Sequence, residues 1–209
     1  NPGDAGSSLG AAALYYFEQT GKFVDWEGPY LGTNIEGKWP KEKFLESLGK
    51  GDIFGIANGK AEFGPRALGN RSLFADARGT EIKDKVNAIK RRQEFRPFAP
   101  IVLEEHARDW FDMPGGIINS PYMSFVCKCL KPDVIPAVVH ADGTSRVQTV
   151  NQYQHPDLYH AMRQWHAKTG CPVVLNTSLN IKGQPIVNTE QEALEFARHY
   201  KVKVHCRDD

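Results

Sequence analysis

Pro172-Val173-Val174-Leu175-Asn176-Thr177-Ser178-Leu179-Asn180 is the stretch that decides the fold class. Its first four residues form a continuous apolar run between a helical pattern over 156–169 and a polar loop. That is the pattern of a central strand buried on both faces. Outward from it, further strands are predicted near 53–57, 98–103, 122–129, 136–140, 146–150 and 202–205. Helices are predicted over 80–92, 104–111, 156–169 and 189–199. Toward the start of the chain, Ser7 and Ser8 precede a mostly apolar stretch, Leu9 to Phe17, that stops near Gly21, giving a helix with a hydroxyl cap and a glycine stop. A second amphipathic helix follows Pro40, with Phe44, Leu45 and Leu48 on one face and Gly49 at its end. Residues 22–39, broken by glycines and without clear periodicity, read as a connector. The sum is an α/β open twisted sheet of mixed parallel and antiparallel strands with flanking helices.

The 209 residues include 26 basic and 25 acidic side chains, a formal charge of +1. Phosphate-backbone binding by bulk electrostatics needs a surplus of Lys and Arg, so the balance argues against a general nucleic-acid binder. An apolar share of 41%, with four Trp, seven Tyr and eleven Phe, is ample for a core and excludes disorder. No run approaches the roughly 18 apolar residues of a membrane span. Four Cys do not make a disulfide framework in a chain this long. Cys127 and Cys129 share one strand face and read as core thiols. With no secretory signal in view and reduced thiols, the expected location is the cytoplasm. The turn-rich opening Asn1-Pro2-Gly3-Asp4-Ala5-Gly6 reads as following a strand, and hence as part of something longer.

Four segments could carry chemistry. In Glu62-Phe63-Gly64-Pro65-Arg66-Ala67-Leu68-Gly69-Asn70-Arg71-Ser72, glycines and a proline bend the chain, and Arg66 and Arg71 offer guanidinium forks suited to phosphate or carboxylate. The alternative is a surface turn with two solvated arginines. In Lys90 to Pro100, the cations up to Arg92 complement a helix C-terminus. Arg96, between Phe95 and Phe98, reads as buried and so as needing an anionic partner. In His140 to Val150, Asp142-Gly143 makes a hairpin, and Arg146, Gln148 and Val150 share a strand face. There Arg146 is either solvated or a ligand-binding group. In Leu175 to Asn180, polar residues follow the buried strand, where open α/β sheets bind ligands; the alternative is a self-satisfied Asx or Ser/Thr turn. No nucleophile elbow, P-loop or zinc pattern is present. Many cations with few acid–base candidates suit a phosphate-rich substrate, where catalysis is mostly positioning and charge neutralisation.

Taken together, these segments resemble the C-terminal region of the NodU/CmcH-type O-carbamoyltransferases. The matching pieces are residues 63–72, 90–100, Trp110-Phe111-Asp112, Ser120-Pro121-Tyr122-Met123, 136–150 and 172–185, in the family's order over roughly 62–187. The resemblance implies a YrdC-like domain over 40–209, with 22–39 as connector. Residues 1–21 would be the C-terminal end of a truncated sugar-kinase-like N-terminal domain. It also implies an enzyme that uses carbamoyl phosphate and ATP with Mg2+ to make carbamoyl-adenylate. The carbamoyl group then passes to an unidentified acceptor hydroxyl. Carried over by position, Arg66, Lys90, Arg96 and Arg146 hold carbamoyl phosphate and the triphosphate. Asn176 and Ser178 add hydrogen bonds, and Met123 packs against the substrate. Thr177, Arg71 and His140 stand behind them. Asp4 matches a ligand of a metal, taken to be iron, in the missing N-terminal domain, which is the expected partner. Where the family often has Glu after the arginine at position 92, this chain has Gln93 and then Glu94. A non-catalytic nucleotide- or RNA-binding module is the alternative; no membrane partner is expected, and nucleic acid is disfavoured.

Overall fold

A computed structural model describes residues 6–117 and 119–208. The central strand is β9 (Val173–Ser178), buried along its apolar half as expected. It lies fourth in an eight-stranded sheet of order β10-β2-β4-β9-β5-β8-β7-β6. The partners are β2 (Phe54–Ala57), β4 (Arg71–Asp76), β5 (Ala99–Leu103), β6 (Phe111–Asp112), β7 (Phe125–Cys129), β8 (Thr144–Val150) and β10 (Lys203–His205). The β10–β2 and β5–β8 pairs are parallel and the other five antiparallel, so the sheet is mixed. A separate antiparallel pair joins β1 (Tyr30–Ile35) to β3 (Gly59–Glu62).

Strand alternation sorts the core into layers. Val173 and Leu175 of β9 and Val102 of β5 face one layer, with Ile82, Val86, Trp110 and Ile135. Val174, Ile101 and Leu103 face the other, against Phe44, Leu158, Met162 and Trp165. The second layer is covered by α2 (Lys41–Gly49) and α5 (Pro156–Thr169). Pro156 sits in the first turn of α5, the ring of His155 accepts the Leu158 N–H, and Gly170 ends the helix in the left-handed region. A capping box between Thr189 and Glu192 starts α6 (Glu190–Tyr200), which covers the β2–β10 end of the sheet. By contrast α1 (Gly6–Thr20) has no buried residue. The four cysteines are buried and free. Among the described residues, no helix is long and apolar enough to cross a membrane.

Several expectations need correction. Tyr30–Ile35, inside the expected connector, is a strand, because the β3 edge offers it a hydrogen-bonding partner. Arg71–Asp76, where no strand is predicted, is an inner strand. Residues 136–140, expected as a strand, form a 3-10 turn over Pro136–Val138, where Pro136 lacks the N–H a ladder needs. The helix over 104–111 shrinks to a 3-10 turn and α4 (Ala107–Trp110), since Phe111 turns into β6. The helix over 80–92 is α3 (Ile82–Ile89), which ends as Arg91 enters the left-handed region at φ 51°.

Candidate anion-binding site

The site starts from one carboxylate. Glu62 Oε1 accepts the backbone N–H groups of Leu68, Asn70 and Arg71 at 2.7, 2.8 and 3.2 Å. This gathers residues 63–70 into a compact loop. Burial pushes the Glu62 carboxyl pKa up, and the three N–H groups pull it back down. Within the loop Gly69 has φ 133°, and a Cβ there would stand 2.8 Å from Leu158 Cδ2, so only glycine fits. Two carbonyls of the loop are tied to the sheet. Asn176 Nδ2 donates to Ala67 O at 2.9 Å and to Gln148 Oε1 at 2.6 Å, and Gln148 Nε2 donates to Leu68 O at 3.1 Å. The tether leaves Pro65, Arg66 and Ala67 facing a cavity.

The opposite wall forms where α3 stops. Past Arg91, Arg92 folds back, and its Nε donates to Asn87 Oδ1 at 2.6 Å while Nη2 donates to Pro97 O at 2.9 Å. Its guanidinium lies 4.1 Å from the centre of the Phe98 ring. Burial, then Arg96 and Arg146, lower its pKa to about 10. Arg92, Arg96 and Arg146 thus enclose, with Arg66, a cavity of about 320 Å3. Met123, His140, Asn176, Thr177 and Ser178 complete the polar part of the lining or pack beside it, and among the described residues no Asp or Glu takes part. Four guanidinium groups with no carboxylate among the described lining residues make a candidate anion site.

Eight residues singled out in the sequence therefore converge: Arg66, Arg96, Arg146, Met123, His140, Asn176, Thr177 and Ser178. Met123 holds φ 56°, a strained geometry for a side chain of its size, while buried against Leu68 and Ala99. Burial lowers the pKa of His140, whose Nδ1 lies 3.0 Å from Thr144 Oγ1. Lys90 sits beneath the cavity rather than in its lining. Its Nζ donates to Ser178 O and Oγ and to Asn180 O and Oδ1 at 2.5–3.3 Å. Burial, then Arg92 and Arg96, lower its pKa to about 7.

Arg96 is exposed, as is Phe95 at 77%, which corrects the reading of this stretch as buried. Arg96 makes no side-chain hydrogen bond among the described residues. Arg71 is also differently placed. Its guanidinium is fully buried among backbone carbonyls and turned away from the four-arginine cavity. Asp4 lies outside the described residues. Arg92, read only as a helix-end cation, is the arginine the sequence reading missed; Asn87, five residues back and fully buried, is the partner that fixes it. Glu62 and Gln148 were missed too, since Glu62 gathers backbone N–H groups and Gln148 bonds Leu68 O and the Asn176 side chain, partners that sequence spacing does not reveal.

A family model described as Carbamoyltransferase C-terminus matches residues 45–208. The chain is 42% identical over 217 residues to nodulation protein NolO of Bradyrhizobium diazoefficiens, covering 91% of this chain and 39% of that protein. It is 37% identical to nodulation protein U of Sinorhizobium fredii, covering 94% and 37%. The chain thus spans about two fifths of the length of these relatives. Among solved structures, HypF of T. kodakarensis superposes with a TM-score of 0.57 at 22% identity, over 83% of this chain and 21% of that one. The full-length HypF structure in its phosphate- and nucleotide-bound form gives 0.56 at 18%, over 87% and 24%. The mixed open α/β sheet expected for this chain is shared with a segment of HypF.

Proposed function

The chain belongs to the carbamoyltransferase C-terminal family, and from that premise we propose that it forms carbamoyl-adenylate for transfer to an acceptor hydroxyl. Water first cleaves carbamoyl phosphate to carbamate and inorganic phosphate. A carbamate oxygen then attacks the α-phosphorus of ATP, the bond to the bridging α–β oxygen breaks, and pyrophosphate leaves. The acceptor hydroxyl next attacks the carbamoyl carbon, AMP departs and the hydroxyl proton is lost. The first two steps crowd several negative charges together. The observation that carries the reading is the convergence of Arg66, Arg92, Arg96 and Arg146 on a cavity without a carboxylate. Each charge-assisted contact contributes about 1.5–3 kcal/mol, so four groups stabilise such a transition state by several kcal/mol.

In this reading Thr177 donates to a phosphate oxygen, Ser178 does so by giving up its 2.7 Å donation to Asn180 Oδ1, and Lys90 supplies a fifth positive charge from below. Mg2+ arrives on the nucleotide phosphates, since no carboxylate in the lining competes for it. Among the described residues no group of three or more His, Cys, Asp and Glu could hold a metal ion. A metal held with Asp4, the acceptor site and the N-terminal partner domain belong to the proposal for a longer protein. The test is carbamoyl-phosphate-dependent exchange of labelled pyrophosphate into ATP. Arg96→Ala and Arg146→Ala are expected to abolish exchange with an unchanged circular dichroism spectrum. Wild-type exchange in both variants would remove the assignment. Nucleotide binding with no exchange in the wild type would leave a binding module instead.

A further inference from the structure

Behind the Ala67–Leu68 turn lies a second cavity, about 240 Å3, that shares no lining residue with the anion cavity. Trp26, Tyr30, Tyr122 and Tyr153 stand in its walls, with Glu27 and Gln154 between them. Trp26 Nε1 donates to the Tyr122 hydroxyl at 3.1 Å, and the Tyr30 hydroxyl donates to Leu68 O at 3.2 Å, so three of the four rings are tethered. Among the described residues, no Lys or Arg lines this cavity. The imidazole of His155, also in the wall, is held neutral because burial lowers its pKa to about 4. Among the described residues the walls therefore offer π-electrons and one carboxylate-bearing residue, and no positive charge. That is the reverse of the neighbouring site. Aromatic rings attract a desolvated cation through their quadrupole, and a carboxylate adds to the attraction.

We propose that this cavity is a second ligand site, taking a small organic ammonium ion. The two sites share a wall, because Gln148 lines this one and bonds to Asn176 of the other. The proposal is independent of which reaction the anion site performs.

The experiment compares choline with its uncharged carbon isostere, 3,3-dimethylbutan-1-ol, by isothermal titration calorimetry. Wild type, Tyr153→Leu, Tyr153→Phe and Glu27→Gln are titrated in parallel. Tyr153 is 87% exposed, so its replacement leaves the core intact, which thermal melts verify. Choline is expected to bind saturably and on the order of tenfold more tightly than the isostere. Tyr153→Leu and Glu27→Gln each weaken choline at least about threefold, and Tyr153→Phe, which keeps the ring, does not. Equal affinity for the two compounds, no saturable choline binding, or insensitivity to both weakening substitutions overturns the proposal.

Discussion

Arg71→Lys keeps a cation at the start of β4 and removes only the guanidinium fork. The native group makes six hydrogen bonds to five carbonyls: Nε to Asn188, Nη1 to Asn58, Gly59 and Asn70, and Nη2 to Thr33 and again to Asn188. Those carbonyls belong to β1, the β2–β3 turn, the site loop and the approach to α6, so one side chain pins four segments together. An ammonium has three protons, which leaves at least two carbonyls without this donor around a residue that is 0% exposed. Each stranded buried acceptor costs about 1–3 kcal/mol, for a predicted loss of about 2–6 kcal/mol. Burial already lowers the Arg71 pKa, with Glu62 opposing; a lysine there can shed its proton, but then has one donor fewer. Urea unfolding followed by Trp fluorescence reads the loss. With slopes of about 1–3 kcal/mol/M, the midpoint falls by about 0.7 M or more with the slope unchanged. If Arg71 instead grips the substrate, the midpoint stays within about 0.3 M of wild type while anion affinity collapses, and the structural account is refuted.

Three further outcomes follow from the site. Sulfate, which keeps its charge across the range, is expected to bind more weakly as pH rises through about 7, by up to about tenfold per unit. Below that value Lys90 is an ammonium and meets the anion charged, whereas above it binding must first take up a proton; Lys90→Met flattens the profile in calorimetric titrations between pH 6 and 9. Asn176→Asp turns a donor into an acceptor against Ala67 O and Gln148 Oε1, and is expected to lower stability by about 2–4 kcal/mol in denaturant titrations. Gly69→Ala forces a Cβ into Leu158 and His155 at positive φ, and its melting temperature is expected to fall by several degrees, with anion affinity reduced because the loop carrying Arg66 shifts.

What the sequence made legible was whatever rests on local pattern. The apolar run before Asn176 marked the central strand, and Pro156 with Gly170 bounded α5 as expected. Arg66, Arg146 and Ser178 stood out because cations and hydroxyls beside breaks or strand ends have few structural reasons to be there. The misses share another cause. Arg71 and Arg92 are both arginines near glycine, asparagine or helix ends, and nothing local separates them. One is enclosed by carbonyls from residues 33, 58 and 188, and the other is turned toward the cavity by Asn87. β4 was hidden because Arg71-Ser72 reads as the end of a turn, while its burial depends on β2 and β9 arriving on either side.

The mixed sheet also explains where the anion cavity lies. In an all-parallel sheet a ligand would sit beyond the carboxyl ends of several strands. Here Asn176 to Ser178 lie at the carboxyl end of β9, but Ala99 opens β5, Arg146 lies near the start of β8, and the Arg66 loop leads into β4. Because β9 runs against both β4 and β5, one carboxyl end and three amino ends meet on one rim. A carboxyl-terminal strand end brings only a loop. The amino ends bring the segments before the strands, and those segments hold the glycines, prolines and arginines. Their cations repel: beyond the larger effect of burial, Arg96 and Arg146 lower the pKa of Arg92, and Arg92 and Arg96 lower that of Lys90. Bonds to Asn87 and Pro97 hold Arg92, bonds to Ser178 and Asn180 hold Lys90, and β8 carries Arg146, whereas Arg96 is exposed and makes no side-chain hydrogen bond among the described residues. On the proposed reading, an anion would find Arg92 and Lys90 already placed and would have to order Arg96, so that most of its binding energy would go into charge neutralisation.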